Sequence, residues 1–273
     1  MPADSHGSLA LITGASSGIG RELARVFARE GYSLILVART AERLEELAAE
    51  FKVKYGTQSV VLPMDLSQTD AADQIWEKLS PAQRRLDVLV NCAGFGTFGK
   101  FWEGDTAQEL GQLQVNIVTA THLIRLFLPE MVRRRSGHIL NIGSVAGFQP
   151  GPYMPIYYAS KAYLLSFSEA IAEQLKDTGV TMTLVAPGAV VTDFARRTGG
   201  GVSPERDGEY HGWVYNLVNM QADAVAEYSY KAMRQGRRLA IPGAVNRLVP
   251  LLSRLLPRKA LTRIIGRSQE YMR

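Results

Sequence analysis

Thr13-Gly14-Ala15-Ser16-Ser17-Gly18-Ile19-Gly20 is the stretch on which the fold turns. The apolar run Leu9–Thr13 leads straight into it, and an amphipathic run, Ile19–Glu30, leads out. Glycines here permit a tight turn and let a ligand approach the backbone closely. The start of the following helix adds unpaired N–H groups and a dipole that favours negative charge. Any strand–helix turn can carry a glycine. Several of them, placed at the end of the first strand, point to a pyrophosphate cradle.

Outward from this loop the chain alternates. Short β-branched runs at Leu9–Thr13, Ser33–Ala38, Ser59–Pro63, Asp87–Asn91, His138–Ile142, Thr181–Ala186 and Leu239–Pro242 read as buried strands. Between them Ile19–Glu30, Ala41–Tyr55, Ala71–Leu79, Ala107–Arg135, Ile156–Lys176 and Ala222–Gln235 read as helices. Regular strand–helix alternation implies right-handed crossovers and a parallel sheet covered on both faces. The expected fold is therefore α/β, a Rossmann-type doubly wound parallel sheet of about seven strands in a single domain. A catalytic domain over 1–245 is expected to carry a substrate lid at 194–220, followed by a basic extension at 246–273.

Composition narrows the function. The chain has 273 residues, 46% of them apolar and 21% charged, which suits a globular body and excludes a disordered one. Cys92 is the only cysteine, so no internal disulfide forms, and no Cys/His cluster has metal-ligand spacing. The net charge of +5 is concentrated in the tail. There Arg247, Arg254, Arg258, Lys259, Arg263, Arg267 and Arg273 face one acid, Glu270, while the body is nearly neutral. Nucleic-acid binding by the body is not expected. No basic segment with an apolar signal core opens the chain, and no uninterrupted apolar run is long enough to span a bilayer. A cytoplasmic protein is expected.

The residues suited to chemistry come from several segments. Tyr157-Tyr158-Ala159-Ser160-Lys161 lies in a helical stretch, and of the eleven tyrosines only Tyr157 has a lysine four residues on. Residues at that spacing share a helix face. Ser144 ends the fifth strand, thirteen residues before Tyr157, and Asn116 sits within Gln114-Val115-Asn116-Ile117. Pro187-Gly188-Ala189-Val190-Val191-Thr192 follows the sixth strand, Asp65-Leu66 the third, and Asn91-Cys92-Ala93-Gly94 the fourth.

In this combination the sequence resembles the classical short-chain dehydrogenase/reductase family over roughly Leu9 to Gly243. The loop matches that family's TGxxxGxG rather than the general GxGxxG, and the remaining segments match its YxxxK, PGxxxT and NNAG motifs, with Cys92 replacing the second Asn. The resemblance implies a catalytic set of Asn116, Ser144, Tyr157 and Lys161. It implies a nicotinamide dinucleotide held by Thr13, Gly14, Ser16, Ser17, Gly18, Ile19, Gly20, Asp65, Leu66, Asn91, Ala93, Gly94, Tyr157, Lys161, Pro187, Gly188 and Thr192. No metal is implied. At the end of the second strand, Leu36-Val37-Ala38-Arg39-Thr40 has no acid until Glu42. An acid there would bind a ribose 2′-OH and repel a 2′-phosphate, whereas Arg39 offers a charged fork to that phosphate. The expected cofactor is NADP(H).

Carbonyl reduction needs hydride at carbon and a proton at oxygen. Lys161 is expected to lower the pKa of Tyr157 by favouring phenolate, and so to make it usable as acid or base. Ser144 would donate to the substrate oxygen as charge develops. By resemblance, Lys161 also holds the nicotinamide ribose and Asn116 braces a water that relays protons. Phe95, Val145, Phe148, Tyr153, Met154 and Phe194 are candidate pocket walls, with Tyr210 or Trp213 on the lid. They favour a hydrophobic carbonyl or alcohol substrate. Tyr158, its side chain about 100° from that of Tyr157, is expected to point away. The alternative is a cofactor-binding redox sensor with little turnover. A homodimer or homotetramer is expected. In the tail, Leu248, Leu251, Leu252 and Leu255 share a helical face, as do Leu261, Ile264 and Ile265. Such a segment can lie on an anionic membrane surface, or pack on the lid or a neighbouring subunit.

Overall fold

The first strand, β1 (Leu9–Thr13), is buried along its whole length, and a parallel sheet hidden on both faces requires this. In the computed structural model, which describes residues 7–79, 86–192, 194, 198 and 220–270, it is an interior strand of a seven-stranded sheet. Its companions are β2 (Ser33–Ala38), β3 (Ser59–Pro63), β4 (Val88–Asn91), β5 (Gly137–Ile142), β6 (Val180–Val185) and β9 (Leu239–Ala240). The order is β3-β2-β1-β4-β5-β6-β9, and every pairing is parallel. The order reverses between β1 and β4, which opens a crevice at the C-terminal strand ends.

Alternation along the strands divides the core. Ala10 and Ile12 pack with α1 (Gly18–Arg29), α2 (Ala41–Tyr55) and α7 (Ala222–Arg234) through Leu23, Phe27, Leu44, Phe51 and Met233. Leu9 and Leu11 pack on the other face with α3 (Ala71–Leu79), α5 (Ala120–Arg133) and α6 (Pro155–Gln174) through Ile75, Leu123, Phe127 and Ala172. This is the doubly wound single domain that the alternation predicts.

The helix expected over 107–135 is present from Thr106 to Arg133 but is not uniform. A π-helical turn, Gln114–Thr119, separates α4 (Thr106–Leu113) from α5. The whole helix is long and apolar enough to pass for a membrane span, yet Leu123, Ile124, Phe127 and Met131 are buried against the sheet. Two further strands, β7 (Val190–Val191) and β8 (Met220–Gln221), pair with each other at the margins of the expected lid. Apart from Phe194, Thr198 and Met220, that lid lies outside the described residues, Tyr210 and Trp213 with it. The tail forms α8 (Leu248–Leu255) and α9 (Arg258–Glu270).

Candidate active site

The glycine loop is shaped by close approach. Gly14 has φ +71°, and a Cβ there would stand 2.9 Å from Ala93 Cα. A Cβ on Gly20 would stand 2.2 Å from the Gly14 carbonyl oxygen, so no side chain fits where α1 begins. Ser16 and Ser17 lie half-exposed on the open side, Ser17 as the residue preceding α1, and Ile19 packs on the core. Gly18 faces the Thr192 methyl group at 3.1 Å from its virtual Cβ, which sets the PGxxxT segment across from the loop. Thr13 works from behind. Its hydroxyl donates to the Val90 carbonyl (3.2 Å) and accepts from the amides of Cys92 (3.0 Å) and Ala93 (3.1 Å), clamping β1 to the end of β4. The close packing at these glycines makes the tight strand–helix turn that a pyrophosphate cradle needs, and the first turn of α1 carries no acid to repel the phosphates.

Arg39 is exposed at the C-terminal end of β2. Burial acts to raise the Asp65 carboxyl, but hydrogen bonds from the Ser67 amide (3.0 Å) and hydroxyl (2.8 Å), with the charge of Arg39 and a bond from Gln68, hold it below its usual value. Leu66 is buried, and its carbonyl accepts from the Thr119 hydroxyl at 2.8 Å. Asn91 is also buried and donates to Asn141 Oδ1 at 3.0 Å, joining β4 to β5. At Gly94 a Cβ would lie 3.1 Å from Asn116 Oδ1 and 3.6 Å from Lys161 Nζ, so its absence keeps the space before the lysine open.

Asn116, Ser144, Tyr157 and Lys161 converge from the π turn, the end of β5 and one face of α6. Lys161 is 7% exposed, donates to the Ile142 carbonyl at 2.9 Å, and lies 5.7 Å from the centroid of the Tyr157 ring. Asn116, 3% exposed, grips the loop after β4 at both backbone polar groups of one residue, Phe95. Its Nδ2 donates to the Phe95 carbonyl (2.9 Å) and to Ser160 Oγ (3.1 Å), and its Oδ1 accepts from the Phe95 amide (3.1 Å). Ser160 in turn donates to the Tyr157 carbonyl at 2.7 Å. Asn116 thereby joins that loop to the turn of α6 that bears the tyrosine. Ser144 caps a short turn, its hydroxyl accepting from the Ala146 amide at 3.1 Å, and the Val145 amide reaches the Pro187 carbonyl at 2.9 Å.

The electrostatics differ from expectation in one respect. Burial pushes the Tyr157 phenol up to about 12, a hydrogen bond with Ser144 works the other way, and the neighbouring Tyr158 raises it further. Lys161 is not among the groups that lower it, because its ammonium lies over the ring and is itself desolvated: burial brings Lys161 down to about 8. The phenol therefore holds its proton at neutral pH. Burial raises the Cys92 thiol to about 12 against the opposing charge of Lys161, which disfavours the reactive thiolate.

The expected pocket walls separate. Phe194 lies on the Tyr157 ring, centroids 5.2 Å apart, and shares with Met154 the space before Gly96. Val145 is half-buried beside Ser144. Phe95 and Phe148 turn instead into the core, Phe148 packing with Leu164 and Leu184. A cavity of about 270 Å³ opens beside Tyr153, Phe98 and Pro155, and its other side is polar, with Lys100, Asp105 and Glu109. Two residues with no motif also shape this side. Asn246, buried, stands where a Cβ on Gly188 would meet it at 2.4 Å. Gln269, 1% exposed, accepts from the Tyr153 amide at 3.0 Å, and Tyr158 hydrogen-bonds to it as well. Tyr158 thus points away from the reaction centre and toward the tail.

Comparison with known proteins agrees with this geometry. Residues 8–201 match the family described as short chain dehydrogenase. The chain is 37% identical over 221 residues to sulfoacetaldehyde reductase 2 of Chromohalobacter salexigens, covering 80% of this chain and 85% of that protein. The structure of a short-chain dehydrogenase from Sphingobium yanoikuyae in complex with NADPH matches with a TM-score of 0.77 at 30% identity, over 97% of this chain and 95% of that one. A short-chain dehydrogenase/reductase from Burkholderia phymatum in complex with NAD matches with a TM-score of 0.77 at 26% identity, over 92% and 93%.

Proposed function

The chain belongs to the short-chain dehydrogenase family, and from that premise we propose that it is an NADP(H)-dependent oxidoreductase acting on a hydrophobic ketone, aldehyde or β-ketoacyl compound, or on the corresponding alcohol. The observation that carries this reading is the convergence of Tyr157 with Ser144 and Lys161 at the mouth of the glycine-lined crevice. The bound dinucleotide supplies or accepts the hydride. Tyr157 holds a proton at its phenol oxygen, and with that group pushed up to about 12 it is in the acid form at neutral pH, which a carbonyl oxygen requires for reduction. Ser144, bonded to the phenol, is placed to donate to the same substrate oxygen. Lys161 directs its ammonium toward the open space at Gly94, where a ribose hydroxyl would sit. Asn116 fixes α6 against the β4 loop and so keeps these groups in register.

The choice of NADP(H) over NAD(H) rests on exposed Arg39 and on the lack of an acid at the end of β2. A homodimer or homotetramer would bury the outward faces of α4 and α6, where Leu110 and Tyr163 are exposed, together with Val118 of the π turn.

The test is an NADPH-oxidation screen over ketones, aldehydes, quinones and β-ketoacyl thioesters, followed by Tyr157→Phe with the best substrate. The variant keeps the ring and loses the proton, so turnover should fall about 10²–10⁴-fold while NADPH still binds. Normal turnover in Tyr157→Phe would refute the assignment. Lys161→Ala should damage turnover and cofactor binding together.

A further inference from the structure

The two tail helices are docked at one end and bare at the other. In α9, Leu261 and Gln269 are buried, Gln269 is bonded to the Tyr153 amide, and the Tyr153 hydroxyl donates to Glu270 at 2.9 Å. The tail is therefore a fixed part of the domain. In α8 the half-buried positions are Val249, Pro250 and Ser253. The stripe Leu248, Leu251, Leu252 and Leu255, spaced i, i+3, i+4 and i+7, faces outward and is 52%, 53%, 51% and 71% exposed. Ile264 of α9 is exposed as well, at 53%. A helix normally turns such a stripe into the core. Contiguous exposed apolar surface of this kind marks an interaction site.

Charge decides what covers it. Arg247 and Arg254, one heptad apart, run along one edge of the stripe, about 100° from its centre. Arg258, Lys259, Arg263 and Arg267 are exposed on α9. None of these six forms an ion pair among the described residues, and Glu270 is the one acid on the two helices. A second copy of the chain would meet this surface through a two-fold axis and set arginine rows against each other. An anionic bilayer complements both features, because leucines enter the acyl boundary while long basic side chains reach the headgroups. We propose that the outer face of α8 and α9 is a docking surface for anionic lipid membranes. It is independent of the reading of the active site. The same helices hold Tyr153 at the wall of the cavity, so docking would bring the substrate side of the crevice close to the bilayer.

The experiment is co-sedimentation of the full chain with phosphatidylcholine vesicles, with and without phosphatidylserine, at low salt. Binding should require phosphatidylserine and weaken with added salt. Leu251→Asp with Leu255→Asp should lower partition about tenfold or more. Arg254→Glu with Arg258→Glu should lower it on phosphatidylserine vesicles to the level of phosphatidylcholine alone. NADPH binding and unfolding temperature, unchanged in both variants, would show that the domain is intact. No binding of the unmodified protein to phosphatidylserine vesicles overturns the proposal. So does a leucine variant that sediments as a smaller oligomer yet still binds vesicles, which would assign the stripe to a second copy instead.

Discussion

The glycine loop and the C-terminal helices both border the reaction centre, but they are built on different plans. In the loop, consecutive residues from Thr13 to Gly20 shape the site through backbone, and the decisive distances are those at which a methyl group would collide: 2.9 Å at Gly14 and 2.2 Å at Gly20. On the other side the contacts join residues far apart in the chain. Tyr153 meets Gln269 across 116 positions, and Gly188 rests on Asn246. The first plan is set in rigid backbone and has no slack. The second is distributed over side chains, each contributing about as much as one hydrogen bond, about 1 kcal/mol. Damage to the loop should accordingly be abrupt, and damage to the tail side graded.

The sharpest way to break that contrast is Gly20→Ala. The added methyl group has no flexible neighbour to displace, because the atom it meets is the Gly14 carbonyl oxygen of the cradle itself. Overpacking of this kind costs about 1–3 kcal/mol, and relief requires the loop to move where the pyrophosphate would lie. NADPH affinity should fall tenfold or more by fluorescence titration. Unchanged affinity would show that the cradle yields, and the comparison would lose its basis.

Arg39→Asp should act on a narrower term. One charge-assisted hydrogen-bond partner is worth about 1.5–3 kcal/mol, so NADPH affinity should drop roughly 10–100-fold. NADH affinity should hold or rise, since the new carboxylate can accept from a 2′-hydroxyl. Equal binding of the two dinucleotides by the unmodified protein would remove the assigned role of Arg39.

The two plans also explain what the sequence discloses. Seven strands and six of the helices follow from periodicity, because a sheet buried on both faces demands unbroken apolar runs at β1, β2 and β4. The loop and the Tyr157–Lys161 pair are legible because their geometry depends on spacing within one element. The π turn at Gln114–Thr119 is not legible, since a shift in hydrogen-bond register leaves the residue types of an ordinary helix in place. The short strands β7 and β8 pair only with each other and are half-buried to exposed, so no buried apolar run marks them. Phe148, a candidate pocket wall from its position after β5, ends the short turn capped by Ser144 and packs on Leu164 and Leu184, a contact between distant segments that position alone does not reveal. Gln269 did leave a trace. It follows Leu261 and Ile265 at four-residue steps, a polar side chain on the face of α9 that turns inward.

That trace supports the smallest and most discriminating prediction. Gln269→Met keeps the length and apolar stem of the side chain but removes the oxygen that accepts from the Tyr153 amide. The amide is left without that acceptor, at a cost near 1 kcal/mol, and Tyr153 gains freedom at the wall of the cavity. No atom of Gln269 is placed at the reacting groups, so kcat should stay within about twofold while KM for the carbonyl substrate rises roughly fivefold, the factor that such an energy corresponds to. Tyr158→Phe should do the same more weakly, because its ring keeps its packing on Gly151 and loses only the bond to Gln269. The unfolding temperature of either variant should fall by roughly 2–4 °C at most. A fall in kcat equal to that in kcat/KM would place the tail in the catalytic step rather than in the shape of the pocket. An unchanged KM in both variants would detach the tail from the substrate altogether. Either result would erase the distinction between an abrupt cofactor side and a graded substrate side.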